Sequence, residues 1–360
     1  MNVVNLPNDM LLIIFQYLNL KDLLNLKLVN KHFCEFVKNN EWNVKIKFNK
    51  YVDRKNIDNF LENHKFVNIM FENYYNMTDT AKYLVNCKKI ILKNSDISSY
   101  FIDCLYNCNT IVFIEYLISD DIRYLKKCHN LKFKLINKTF DILDADSINN
   151  MDLESIGFIG CYLSQEFVDN LKLPGLKYLK INTTIYGSMN ILLSNLPNLE
   201  KLYITNRIDD DSLEIICNNM KKLKYLLIYN FSGSNLKYLH NLKNLEHLTI
   251  SKNEDYECFS DLSGLKNLKY LKIDAYKFNI NSYIYLENVK YLVLNDFENE
   301  NEYIEYFKCP KLEHVKLQYI TITDKIITYL NKLNLSYLNI TRCEISKQNL
   351  GKLNEINYFS

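Results

Sequence analysis

The sequence predicts an α/β solenoid: three short helices at the N-terminus, then a curved array of repeats with a parallel inner sheet. Three observations lead there. A hexapeptide pattern recurs in phase through the C-terminal half. Residues 6–42 hold more large apolar side chains than so short a stretch can cover by itself. Apolar residues make up 48% and charged residues 24% of 360, a globular balance that argues against extended disorder and can fill a sizeable core.

The first helix enters at Leu6-Pro7-Asn8-Asp9, where Asn8 or Asp9 can accept from first-turn amides, and runs to about Leu18. Met10 to Phe15, Tyr17 and Leu18 leave it almost no polar side, so it needs cover on more than one face. Asn19-Leu20-Lys21-Asp22 is a break with a new cap. A second segment follows with Leu23, Leu24, Leu26, Leu28 and Val29, and a third from Lys31 to about Asn39 with Phe33, Phe36 and Val37. Trp42, the only tryptophan, comes next. A body this small leaves apolar surface in water, at about 1.5–3 kcal/mol per large side chain, and that surplus implies a partner.

The run LPNDMLLIIFQYLNLKDLLNLKLVNKHFCEFVKNNEW resembles the F-box, with its Leu-Pro, acidic residue, Ile/Phe-Tyr-Leu helix, Asp-Leu, Leu-x-x-Val step, aromatic and Trp. By that resemblance Leu6, Pro7, Ile14, Leu18, Leu23, Leu24, Leu28, Val29 and Trp42 either dock on a Skp adaptor or build the bundle. Sequence does not separate the two groups. Asn30 and His32 depart mildly from the family pattern. Without the resemblance, a small helical cap on a solenoid end is the alternative.

The repeat is clearest as LKYLKI from Leu176, LEKLYI from Leu199, LKYLLI from Leu223, LEHLTI from Leu245, LKYLKI from Leu268, VKYLVL from Val289, LEHVKL from Leu312 and LSYLNI from Leu335, spaced 21 to 24 residues apart. Weaker copies begin at Leu153, Leu131, Ile111, Cys87 and Phe66, and a short one at Leu353 closes the end. In the Leu131 frame the fourth position is Lys134, which makes that unit the least regular. The expected organisation is 1–46 F-box, 47–65 linker or N-terminal cap, and 66–360 a leucine-rich-repeat solenoid of about thirteen repeats plus a short unit.

In LxxLxL the fourth and sixth residues point inward on a short strand, and neighbouring strands pair in parallel. Return segments such as 209–220 and 322–333 open with acidic residues and carry apolar positions at helical spacing. The stretch from Cys309 to Leu330 resembles the cysteine-containing repeats of F-box/leucine-rich-repeat proteins, although the ninth-position Asn or Cys survives only at Cys161, Asn253 and Cys343.

The third and fifth residues of each strand tile the concave wall. The third column reads Tyr178, Lys201, Tyr225, His247, Tyr270, Tyr291, His314 and Tyr337; the fifth includes Lys180, Tyr203, Lys272 and Lys316. Tyr and His beside Lys suit contact with a protein target, through an acidic segment that Lys180, Lys272 and Lys316 would favour. A stacking ladder that only stabilises neighbouring strands is the other reading.

Other chemistry finds little support. Net charge is +2 and only Arg54, Arg123, Arg207 and Arg342 carry guanidinium, so nucleic-acid binding is not expected. Scarce Ala, Gly, Pro and Arg beside abundant Asn, Lys, Ile and Tyr follow AT-rich codons, as in amoebal or giant-virus genomes, where the partners of a viral chain would be the host's. Ten scattered cysteines form no CxxC or zinc spacing; Cys104 and Cys108 share a helical spacing without further ligands. Met10–Phe15 is too short to span a membrane and lacks a basic lead, so a cytoplasmic or nuclear place is expected. No phosphate loop, dinucleotide fingerprint or zinc-protease motif occurs, six dispersed histidines support no catalytic pair, and no cofactor is expected.

The resemblance therefore implies a non-catalytic substrate receptor of an SCF-type cullin ubiquitin ligase, the F-box binding the Skp adaptor and through it the cullin, the repeats binding a target. The alternative is an interaction scaffold not coupled to ubiquitination. An enzyme with a cryptic site is the third class.

Overall fold

The computed structural model describes residues 6–49, 51–74, 80–95, 101, 105, 108–115, 125, 128–135, 138–234, 236–252, 262–275, 283–295, 304, 307–345 and 358–359. The chain divides into two compact units, Met1–Leu171 and Lys172–Ser360.

The first unit opens with α1 (Asn8–Phe15), α2 (Leu20–Leu26) and α3 (Lys31–Asn39). Asn19 caps α2 by accepting from the Asp22 amide at 3.0 Å, and Asn30 caps α3 by accepting from the Phe33 amide at 2.8 Å. The Asn30 departure thus has a local purpose. At α1 the expected cap is absent: Pro7 occupies the cap position without a side-chain bond, and Asn8 and Asp9 lie inside the helix. The helix ends at Phe15 rather than Leu18 because Tyr17 and Leu18 bond back to Ile14 and Phe15, three residues earlier, tightening the last turn. Leu11, Phe15, Leu23, Phe33, Phe36 and Val37 form the bundle core, with Phe15 edge-on to Phe33 at 5.5 Å and Phe36 at 5.8 Å.

The sheet begins earlier than the repeat pattern suggests. Strand β1 (Glu41–Asn49) pairs in parallel with β2 (Lys65–Glu72) across α4 (Arg54–Glu62). Trp42 lies opposite Phe66, Ile46 opposite Ile69 and Phe48 opposite Phe71, with a register shift between Trp42 and Lys45. One extra residue there breaks the LxxLxL spacing. Residues 47–65, expected as linker or cap, therefore hold the end of a strand and a return helix, and the expected boundary at 46 falls within β1.

Strands β3 (Lys89–Lys93), β4 (Thr110–Glu115), β5 (Asn130–Leu135) and β7 (Ser155–Leu163) follow in order, with β6 (Thr139–Phe140) beside the far end of β7. Their register corrects two repeat frames. Ile111 and Leu131 stand opposite Ile90 and Ile156, which are fourth-position residues, so these units start at Cys108 and Cys128. Cysteine replaces leucine at the first position in three successive units, and a search for LxxLxL slides forward to the next aliphatic residue. In the corrected frame Lys134 faces outward and Phe133 fills the sixth position. Asn73, Asn94, Glu115 and Gly160, all eighth in their units, share a left-handed backbone with φ of 45–71°. Helices α5 (Ile142–Asn149) and α6 (Gln165–Asn170) are return segments. Phe113, Phe133 and Phe158 stack along the core at 5.6 and 5.7 Å.

The second unit is the regular one. Strands β8 (Tyr178–Ile185), β9 (Lys201–Ile204), β10 (Tyr225–Ile228), β11 (His247–Lys252), β12 (Tyr270–Ala275), β14 (Tyr291–Asn295), β16 (His314–Gln318), β18 (Tyr337–Thr341) and β20 (Tyr358–Phe359) pair in parallel in that order. Two small pairs, β13 (Ile284–Tyr285) with β15 (Phe307–Lys308) and β17 (Thr321–Ile322) with β19 (Glu344–Ile345), lie in the return segments. Helices α7 (Met189–Ser194), α8 (Asp210–Asn219) and α9 (Asp324–Asn331) include both expected return helices. Fourth- and sixth-position side chains, from Leu179 and Ile181 to Leu338 and Ile340, are buried between neighbours.

Cys161 is buried and Cys343 half-buried, while Asn253 and Cys104 lie outside the described residues, as does the Leu353 unit apart from Tyr358 and Phe359. A different amide ladder operates. Asn198, Asn244, Asn267 and Asn288, each just before its strand motif, donate at 2.8–2.9 Å to Pro174, Lys221, Lys243 and Lys266 carbonyls of the preceding repeat. Part of the asparagine excess thus stitches repeats together.

Candidate functional site

Burial separates the two groups of N-terminal residues. Leu23 and Trp42 are fully buried and belong to the core. Trp42 donates its indole N–H to the Val37 carbonyl at 2.8 Å and meets Phe36 edge-on at 6.1 Å, which seats the bundle on β1. Leu6, Leu18 and Leu24 are half-buried. Pro7 is exposed, as are Ile14, Val29 and Leu28, the last 85% accessible. Met10, Ile13 and Tyr17 join Ile14 on the outer face, a set the residue-by-residue reading left out. Their i, i+3, i+4, i+7 spacing puts them on one face of α1, but in a helix apolar all round it does not say that this face is the open one. Large apolar groups gathered in water make this face a candidate contact surface.

The bundle is also tied to the first return segment. The His64 ring packs against Phe60 and Phe66, centroids 4.6 and 5.7 Å away. Its Nδ1–H donates to the Phe60 carbonyl and Nε2 accepts from the Lys27 ammonium, both at 2.8 Å. Burial, with the Lys27 and Lys38 charges, holds this imidazole below its usual pKa against the opposing Phe60 bond. A groove of about 740 Å³ lies between α1 and the start of β1–β3, lined by Gln16, Tyr17, Asn43, Lys65 and Lys88 among others.

In the second unit the third-position residues stand in register on adjacent strands. Their rings stack: Tyr225 on His247 at 4.4 Å, His247 on Tyr270 at 5.6 Å, Tyr291 on His314 at 4.3 Å and His314 near Tyr337 at 5.8 Å. Lys201 closes one end, its ammonium 4.6 Å from the Tyr225 centroid. Ring faces are therefore used by neighbours, and the row offers a visitor ring edges, hydroxyls and imidazole nitrogens. Burial pushes the Tyr178 and Tyr270 phenols up and the His247 imidazole down, which favours neutral rings.

The lysines of this wall are less available than their positions suggest. Lys180 lies over the Tyr203 ring at 3.8 Å, and Lys272 is 3.8 Å from the Asp274 carboxylate. Along the strand entrances Lys224–Glu200, Lys269–Glu246 and Lys290–Glu313 pair at 2.9, 2.8 and 2.6 Å. Among the described residues Lys316 has no carboxylate within ion-pair distance.

Among the described residues no three His, Cys, Asp or Glu side chains stand together as a metal-holding group, and no helix is long and apolar enough to cross a membrane. Cys87, Cys108 and Cys128 are buried in the core row, and burial pushes the Cys128 thiol up to about 12.

The F-box domain family model matches residues 4–45. No curated protein sequence matches the chain significantly. Among solved structures, a TDR receptor aligns with a TM-score of 0.50 at 13% identity, over 92% of this chain and 61% of the receptor. A leucine-rich-repeat protein of Leptospira interrogans aligns at 0.49 and 16% identity, over 95% and 86% of the two chains. An internalin of Listeria monocytogenes aligns at 0.46 and 16% identity, over 92% and 89%.

Proposed function

We propose that this F-box domain joined to a leucine-rich-repeat solenoid is the substrate-recognition adaptor of an SCF-type cullin ubiquitin ligase. The F-box binds the Skp adaptor and through it the cullin, while the repeats hold a target protein. The chemistry resides in other subunits, and the adaptor raises the target's effective concentration near them. The observation that carries this reading is the exposed apolar set Ile14, Leu28 and Val29, with Met10, Ile13 and Tyr17, on a module matched as an F-box. Leu6, Pro7, Leu18 and Leu24 border that set; Leu23 and Trp42 support it from beneath.

The test is co-purification of the tagged chain with Skp adaptor and cullin. Ile14→Asp with Leu28→Asp, or Leu6→Ala with Pro7→Ala, should abolish both while leaving circular dichroism unchanged. Recovery of neither by the parent chain refutes the reading, and retention of both by the folded variants refutes the assigned contact surface. Adaptor without cullin supports the second reading, a scaffold not coupled to ubiquitination.

For the target we assign the wall from Tyr178 to Tyr337, with Lys180, Tyr203, Lys272 and Lys316 beside it. Since the ring faces are stacked, contact runs through Tyr225, Tyr270 and Tyr291 hydroxyls and the His247 and His314 edges. Combined Tyr225→Phe, Tyr270→Phe and Tyr291→Phe changes keep the stack and remove the hydroxyls. Undiminished target recovery from that variant rules the wall out.

A further inference from the structure

The inner wall of the first unit carries a charge pattern of its own. Outward positions of β1, β3 and β5 hold three lysine pairs: Lys45 and Lys47, Lys89 and Lys93, Lys132 and Lys134. Strand alternation sets them opposite the buried Ile46, Ile90, Leu92, Leu131 and Phe133. The intervening strands hold no lysine at these positions and carry two carboxylates, Glu72 and Glu115. Both are already engaged. Glu72 sits 2.5 Å from Lys47 and 2.9 Å from Lys93, which holds its carboxyl down to about 2, and Glu115 is 3.7 Å from Lys93.

Four lysines remain. Lys45, Lys89, Lys132 and Lys134 are exposed, and among the described residues none has a carboxylate within ion-pair distance. A ladder built only to join strands would match each cation with an anion, as β1–β4 do through Glu72 and Glu115. The excess leaves the wall with a net positive charge, which attracts an acidic visitor. Between the lysines runs an apolar strip of Met70, Ile91 and Val112, half-buried at the fifth position of three successive strands.

We propose that this wall binds an extended acidic segment of a partner protein, with an acidic side chain about every third residue and aliphatic side chains between. Parallel strands lie about 4.8 Å apart, so β1, β3 and β5 recur at about 10 Å. An extended chain rising about 3.1–3.4 Å per residue covers that step in about three residues. Acidic groups then reach successive lysine strands while aliphatic groups rest on Met70, Ile91 and Val112. Nucleic acid fits less well: the outward positions of these strands bear no aromatic ring for base stacking and no arginine. The proposal does not depend on the F-box engaging an adaptor.

The experiment is fluorescence anisotropy on the full chain with a labelled twelve-residue probe carrying Glu at every third position and Val or Ser between. A Gln-for-Glu probe and a twelve-nucleotide thymidine oligomer serve as comparisons. Each exposed charge contact contributes roughly 1.5- to 5-fold, so Lys89→Gln/Lys132→Gln/Lys134→Gln should weaken Glu-probe binding roughly tenfold. Lys332→Gln, an exposed lysine just after α9 on the other unit, should leave it within about twofold. Failure of the Glu probe to bind, equal binding of the Gln probe, or full affinity in a folded triple variant overturns the proposal. Tighter binding of the oligomer through the same lysines overturns it in favour of nucleic acid.

Discussion

Replacing Trp42 with phenylalanine separates the two roles open to it, contact with an adaptor or support from within. The side chain is fully buried, and its indole N–H meets the Val37 carbonyl at 2.8 Å. Val37 lies in the last turn of α3, where carbonyls lack an intrahelical donor. Trp42→Phe leaves that carbonyl buried without its donor, at about 1–3 kcal/mol. The smaller ring leaves a void beside Phe36 that adds about 1 kcal/mol. A total of about 2–4 kcal/mol follows. Urea denaturation monitored by far-UV circular dichroism measures it, and the emission of Trp42, the chain's only tryptophan, reports the same transition in the parent protein. Leu28→Ala and Val29→Ala, on exposed residues, should stay within about 0.5 kcal/mol. A Trp42→Phe cost below about 0.5 kcal/mol, or a Leu28→Ala cost equal to it, refutes the assignment of core and contact residues.

Three further outcomes follow from local geometry. The neutral form of His64 is stabilised by folding, so its contribution is complete above the unfolded value of 6.5 and declines as pH falls below it. Urea midpoints at pH 7.5 and 5 should differ less for His64→Gln than for the parent protein. Asn267→Ala removes a side-chain bond to the preceding repeat and should cost about 0.5–1.5 kcal/mol in urea denaturation, with Asn244→Ala and Asn288→Ala adding similar steps. Iodoacetamide labelling mapped by mass spectrometry should leave Cys128, Cys217 and Cys309 unmodified in the native protein, because burial pushes each thiol up to about 12. Rapid labelling of all three would contradict the packing of the core row.

Sequence was informative wherever aliphatic periodicity survived. From Leu176 to Ile340 the buried fourth and sixth positions, the outward third column and two return helices were all legible, because leucine spacing and strand alternation express the same geometry. It misled where another residue solved the same packing problem. Cys87, Cys108 and Cys128 fill the first-position row as small apolar groups, and two of them concealed their frames. One residue inserted between Trp42 and Ile46 hid β1. Exposure of Met10, Ile13 and Tyr17 was illegible for another reason. A helix apolar on every side does not say which side the chain covers, and only the positions of α2, α3 and β1 decide it.

The two inner walls follow from one constraint. Burial of the first, fourth and sixth positions fixes the array, and the third, fifth and seventh can vary without touching the core. In the second unit that freedom goes into rings stacked along the sheet. Each ring face satisfied by a neighbour is a face withdrawn from a visitor, and Lys180 and Lys272 are drawn onto Tyr203 and Asp274 in the same way. What remains there is a line of polar edges with little free charge. In the first unit rings occupy the buried sixth position instead, as Phe113, Phe133 and Phe158, so the outward positions are left to lysine and aliphatic side chains. Moving the aromatic residues from the core to the wall thus exchanges a charged, partly apolar surface for a neutral hydrogen-bonding one. The walls should accordingly respond differently to salt: contacts with Lys45, Lys89, Lys132 and Lys134 should weaken as ionic strength rises, while contacts with the Tyr and His edges should change little. Equal salt sensitivity on both walls would mean that the four open lysines do not set the character of the first.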